Sequence, residues 1–93
     1  MIEVNEYFDG QVKSLGYELA AGKSTVGVME AGEYEFGTSQ HETMTVVEGS
    51  MTVQLPATEE WKTFNQFETF EVDANKSFKV KAATPTAYLC VYR

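Results

Sequence analysis

The sequence has little cysteine, proline or positive charge, and no long apolar run. Its one cysteine, Cys90, excludes an internal disulfide and fits a reducing compartment. Its two prolines, Pro56 and Pro85, mark places where a backbone ladder must break, because proline has no N–H to donate. No apolar stretch approaches the roughly 20 residues that a membrane-spanning helix needs, so no membrane partner is expected. The opening MIEVNEYFDG lacks the basic start and long apolar core of a secretory signal, which predicts a cytoplasmic protein. Lys and Arg number 7 against 14 Asp and Glu, for a net charge of −7. Such a body repels a phosphate backbone, so no polynucleotide partner is expected. Helical periodicity is missing beyond a turn or two, and there are no repeats, linkers or low-complexity segments.

What is present suits strands. Hydrophobic residues make up 43% and aromatics 13% of 93 residues, enough for one core and one domain spanning residues 1–93. QVKSLGYEL reads as a strand with Val12, Ser14 and Gly16 on one face and Lys13, Leu15 and Tyr17 on the other. Residues 20–24 read as a loop and residues 25–31 as a strand in which Gly27 weakens the ladder or allows a close approach. GEYEF alternates with Tyr34 and Phe36 inward. SFKVKA sets Phe78 and Val80 against Lys79 and Lys81, which read as outer-face charges protecting an edge strand. In TAYLCVYR, Tyr88, Cys90 and Tyr92 share a face. Eight or more short strands at a spacing of about 8–12 residues predict an all-β sandwich or barrel.

The stretch ETMTVVEGSMTVQL, residues 42–55, organises the rest. Two runs rich in Thr, Val and Met flank Glu48-Gly49, and Gly49 predicts a tight turn between two antiparallel strands of a hairpin. Glu42, Met44 and Val46 share one face, which puts a carboxylate at the mouth of an interior if that face is the core face. The opposite face, Thr43, Thr45 and Val47, is apolar enough to predict a homodimer.

This order of acid, apolar run, Glu-Gly and apolar run resembles the first motif of the cupins. The resemblance implies a single-domain cupin, a jelly-roll β-barrel. It also implies where that family's metal ligands would fall: two histidines at Phe36 and Thr38, and a later glycine, proline and histidine at Phe67, Asp73 and Phe78. Only Glu42 remains of the usual set, and one carboxylate cannot hold a transition metal, so no metal and no other cofactor is expected.

A second resemblance covers nearly the whole chain. The blocks NEYFDGQVKSLGY, TVGVMEAGEYEFGT, ETMTV, FEV and PTAYLCVY are similar to the small pyrimidine/purine nucleoside phosphorylases of bacteria. Val91 and Asp73 stand where those relatives carry arginine and proline. The resemblance implies nucleosides and inorganic phosphate as substrates and broad specificity for the base. The reaction yields free base and ribose 1-phosphate. Such chemistry needs an anion site, a group to meet the departing base, and a flat wall. Lys13, in the matched block KSLGY, is the first candidate for phosphate contact, with the Ser14 hydroxyl beside it. Glu42, in the retained ligand position, is a candidate to orient the sugar or the base. His41, the only histidine, titrates near neutral pH and is the second catalytic candidate. Tyr34, Phe36, Phe78 and Tyr88 are the substrate-wall candidates, with Phe36 and Phe78 filling the space of missing histidines. Cys90 reads as a small buried hydrophobe. Two other functions fit the residues: a non-enzymatic cupin module that binds a small sugar or nucleoside, and a metal-dependent cupin built on Glu42 and His41.

Overall fold

A computed structural model describes residues 1–93, and every regular element is a strand. The strands are β1 (Glu3–Tyr7), β2 (Val12–Leu19), β3 (Gly22–Met29), β4 (Gly32–Gly37), β5 (Glu42–Glu48), β6 (Met51–Gln54), β7 (Lys62–Phe64), β8 (Thr69–Val72), β9 (Ser77–Ala82) and β10 (Thr86–Tyr92). They form two antiparallel sheets, one of six strands in the order β1-β2-β3-β10-β5-β8 and one of four in the order β4-β9-β6-β7. This is the expected all-β cupin jelly roll. No helix is long and apolar enough to cross a membrane.

Alternation decides which side chains meet between the sheets. Val12, Met29 and Val46 from one sheet and Met51, Val53 and Val80 from the other are completely buried in a shared apolar core. Aromatic rings extend it: Phe64, Phe70, Phe78, Phe36, Tyr34 and Phe8 form a chain with centroids 4.7–6.1 Å apart. Those spacings lie in the range where tilted and edge-to-face pairs attract.

Three sequence expectations change. Residues 42–55 are not a hairpin. Strand β5 pairs with β10 and β8 in one sheet, and β6 pairs with β9 and β7 in the other. Gly49, at φ +91°, therefore turns a corner between sheets. A Cβ there would stand 2.6 Å from Thr86 Oγ1 and 3.1 Å from Pro85 O. A bulge at Val47 precedes the corner, since Tyr88 faces Val46 while Ala87 faces Glu48. The loop at residues 20–24 shrinks to Ala20-Ala21, because Gly22 to Ser24 already pair with β2, and Lys23 and Ser24 with β10 as well. Strand β9 is not an edge. It lies between β4 and β6, and Lys81 uses its outer position to approach Glu33 at 3.7 Å and the Trp61 ring at 4.1 Å.

Candidate active site

Between the sheets a cavity of about 120 Å³ remains. Its two walls differ. The six-stranded sheet contributes Ser14, Glu42, Met44, Tyr88, Cys90 and Tyr92, and the four-stranded sheet contributes Phe36, Gly37 and Phe78. Tyr7 and Gly37, both exposed, mark the mouth. One wall is thus polar and the other aromatic.

Register explains the polar wall. Strand β10 runs beside β5 with Tyr92 opposite Glu42 and Cys90 opposite Met44. The inward period-two faces of both strands then converge. Glu42 is 9% exposed, and the Cys90 thiol donates to its Oε1 at 3.5 Å. Thr25, itself buried, is the neighbour of Cys90 on the other side, in β3.

Burial governs the protonation of this wall. It raises the Glu42 carboxyl above its ordinary value, while the Cys90 hydrogen bond and the charge of His41 pull weakly the other way. Burial, and then the Glu42 carboxylate, push the Cys90 thiol up to about 12. Burial also pushes the Tyr88 phenol up to about 12 and raises Tyr92. At neutral pH the thiol and phenols are therefore uncharged hydrogen-bond donors. No Lys, Arg or His lines the cavity. It suits a flat, mostly neutral group that presents a polar edge to Glu42 and a face to Phe36 and Phe78, whose ring centroids lie 5.6 Å apart. Burial, by raising the Glu42 pKa, makes this carboxyl a better proton carrier at that edge than an exposed one.

The structure gathers Ser14, Phe36, Glu42, Phe78 and Tyr88 around this one space. Three other candidates are elsewhere. Lys13, expected beside Ser14 as a phosphate contact, points to the opposite face of β2, because adjacent strand residues alternate. Its side chain is 61% exposed and lies 3.5 Å from Glu6. His41 stands outside the cavity, with Nε2 2.9 Å from Glu71 and Nδ1 3.3 Å from Asp73. The Glu71 hydrogen bond raises its pKa most, with Asp73 adding to it and partial burial opposing it. Tyr34 faces inward but is occupied behind the cavity, where its hydroxyl donates to Glu30 O at 2.7 Å. Cys90 is more than the small hydrophobe expected, since it is a cavity-lining donor to the key carboxyl. Its sequence signal was a shared face with Tyr88 and Tyr92.

The cupin metal does not fit these residues. Phe36 and Phe78 have no ligand atom. The Thr38 hydroxyl is engaged in the β8–β9 turn, donating to Asp73 O at 2.7 Å and accepting from Lys76 N at 3.0 Å. Nowhere do three His, Cys, Asp or Glu side chains gather in a metal-holding group. The two carboxylates at His41 sit on opposite ring nitrogens, so they cannot share an ion with it.

Comparison with known proteins agrees with this architecture. A family model for pyrimidine/purine nucleoside phosphorylase matches residues 2–92. A protein of that name from Pseudoalteromonas atlantica is 59% identical over 92 residues, covering 99% of each chain. Among solved structures, a protein of unknown function from Vibrio parahaemolyticus superposes with a TM-score of 0.93 at 44% identity, covering 97% of this chain and 96% of that one. An RmlC-like cupin from Shewanella frigidimarina shares the fold, with a TM-score of 0.74 at 16% identity over 99% of this chain and 83% of that one. The match along nearly the full length and the barrel around Glu42 lead to one assignment: this chain belongs to the pyrimidine/purine nucleoside phosphorylase family.

Proposed function

We propose that this protein cleaves purine and pyrimidine nucleosides with inorganic phosphate, without a metal, releasing free base and ribose 1-phosphate. The observation that carries the proposal is the asymmetric slot, with rings on one wall and, on the other, a buried Glu42 whose pKa is raised by that burial. The cavity, about 120 Å³, is below the roughly 300–1,000 Å³ usual for a whole small-molecule site. It therefore takes the base, and leaves ribose and phosphate at the mouth beside Tyr7 and Gly37.

That orientation answers the chemistry. The glycosidic C–N bond breaks as a phosphate oxygen bonds to the anomeric carbon. Positive charge on the sugar ring is offset by the phosphate itself, which the neutral interior does not have to hold. Glu42 gives its proton to the departing base nitrogen as that nitrogen gains electron density, and takes one back from solvent. A slot built from phenylalanine faces and one carboxyl reads no particular base, which supports broad specificity. Ser14 is the hydroxyl we assign to the sugar or phosphate edge.

The test is purified protein with uridine, adenosine or guanosine, with and without phosphate. Base and ribose 1-phosphate are expected only when phosphate is present. Equal release without phosphate, or none in either case, overturns the proposal. A binding module is favoured by one observation, the lack of any cation in the lining. Thermal stabilisation by nucleosides without turnover would establish it.

A homodimer is part of the proposal. Val4, Leu15, Val26 and Leu89 stand in register as one row across four strands, on the outer face of the six-stranded sheet. Val4, Leu15 and Val26 are 70%, 48% and 43% exposed. A small domain gains most by covering such a face with a second copy. Light scattering is expected to give twice the chain mass, and Val26→Lys to halve it. A monomeric wild type overturns this part.

A further inference from the structure

Gly27 does not line the cavity, yet it faces the interior at the centre of the six-stranded sheet, with Ser14 as its partner in β2 and Tyr88 in β10. Both partners do line the cavity. A Cβ built on Gly27 would stand 2.6 Å from Cζ and 2.6 Å from the hydroxyl oxygen of Tyr88, distances that real Cβ atoms do not show. The Tyr88 ring therefore crosses directly over the Gly27 main chain, in a trough that only a missing side chain provides. The Cβ could not retreat, because the Lys13 carbonyl oxygen stands 2.9 Å away. The Lys13 contact asks a few tenths of an ångström of the β2 backbone, but the larger relief must come from the ring, which would have to lift by about an ångström to regain ordinary contact at 3.4–4 Å. The lift is away from the sheet and toward Phe36 and Phe78, into the space left for a base.

We propose that Gly27 is a positioning residue that sets the depth of the cavity: it lets the Tyr88 ring lie flat, and so leaves the slot its width. The effect on substrate rests on the nucleoside reading given above, whereas the placement of Tyr88 does not. Gly27 thus acts through Tyr88 on how well the base enters, more than on the chemical step. A small cavity is sensitive to this, because a slot one ring deep has no spare room.

The experiment is a double-mutant cycle of Gly27→Ala, Tyr88→Val and the double variant, read by KM, by kcat and by thermal unfolding. Gly27→Ala is expected to raise KM for uridine and adenosine at least 10-fold while kcat changes less than 3-fold. In the Tyr88→Val background, where no ring crosses the trough, the same substitution is expected to change KM less than 3-fold. Unchanged KM in Gly27→Ala, or an equal effect in both backgrounds, overturns the proposal. If Gly27→Ala does not fold, unfolding decides: a folded double variant supports the proposal and an unfolded one overturns it. If the wild type turns over no nucleoside, the proposed function falls by itself, and the cycle is read from unfolding temperatures alone.

Discussion

Replacing Phe78 by alanine separates packing from binding. The ring is 3% exposed on an inner strand of the four-stranded sheet, tilted against Phe36 at 5.6 Å and edge-on to Phe70 at 6.0 Å. Truncating a buried Phe to Ala costs about 3–5 kcal/mol, and the two aromatic pairs lie inside that figure. One side of the ring already borders the cavity, so fewer packed atoms are lost and the lower end, about 3 kcal/mol, is expected. A domain of this size loses about 4–8 °C in Tm per kcal/mol, or roughly 12–24 °C here. The total stability of such a domain is about 5–15 kcal/mol, so the variant stays folded in the cold. If a base lies on this ring, the variant also loses stacking of about 1–3 kcal/mol, and KM rises roughly 5- to 150-fold. Phe64→Ala is the control. Its ring is 6% exposed and packs on Phe70 at 4.7 Å, but it does not line the cavity. It is expected to lower Tm by a similar amount and leave KM unchanged. Calorimetry and steady-state kinetics give both numbers. A Phe78→Ala protein whose Tm falls while KM holds refutes the aromatic wall as a base platform. A fall of less than about 4 °C refutes the packing argument itself.

Gly49→Ala is expected to cost about 2–4 kcal/mol, from left-handed backbone strain of about 1–2 kcal/mol plus displacement of the Thr86 hydroxyl from Ser50 O; a denaturant midpoint close to wild type contradicts the sheet-to-sheet corner. Because Glu71 and Asp73 raise the His41 pKa, its contribution to stability is complete below the unfolded value of 6.5 and is lost as pH rises through the folded value. His41→Gln should therefore lower Tm more at pH 5.5 than at pH 9, with KM untouched at either; a pH-independent Tm difference contradicts the paired imidazolium.

Much of the barrel was legible because alternation is a local signal. Tyr34 with Phe36, Phe78 with Val80, and Tyr88 with Cys90 each fall on the inner face that period two assigns them. Glu42 was legible as well, since Met44 and Val46 share its parity and declare the core side. Whether Gly49 closes a hairpin or turns a corner was not. Both need the same glycine, and the choice lies in distant partners, β10 and β8 for one run and β9 and β7 for the other. Strand β1 was missed because NEY is polar, as an exposed edge strand permits. Lys13 was a different kind of miss. Parity already put it opposite Ser14, and only its place in a matched block suggested a shared role. The contact of Cys90 with Glu42 spans 48 residues of sequence, so nothing local signals it.

The central chemical claim is that the buried Glu42 protonates the departing base, and the direct measurement is kcat against pH for wild type and Glu42→Gln with uridine and phosphate. Because burial raises the Glu42 pKa, wild-type activity is expected to fall as pH rises through that value. Glu42→Gln should lose about 10²- to 10⁴-fold in kcat and lose that alkaline fall with it. A variant that keeps wild-type kcat, or the same pH profile, contradicts the role given to Glu42.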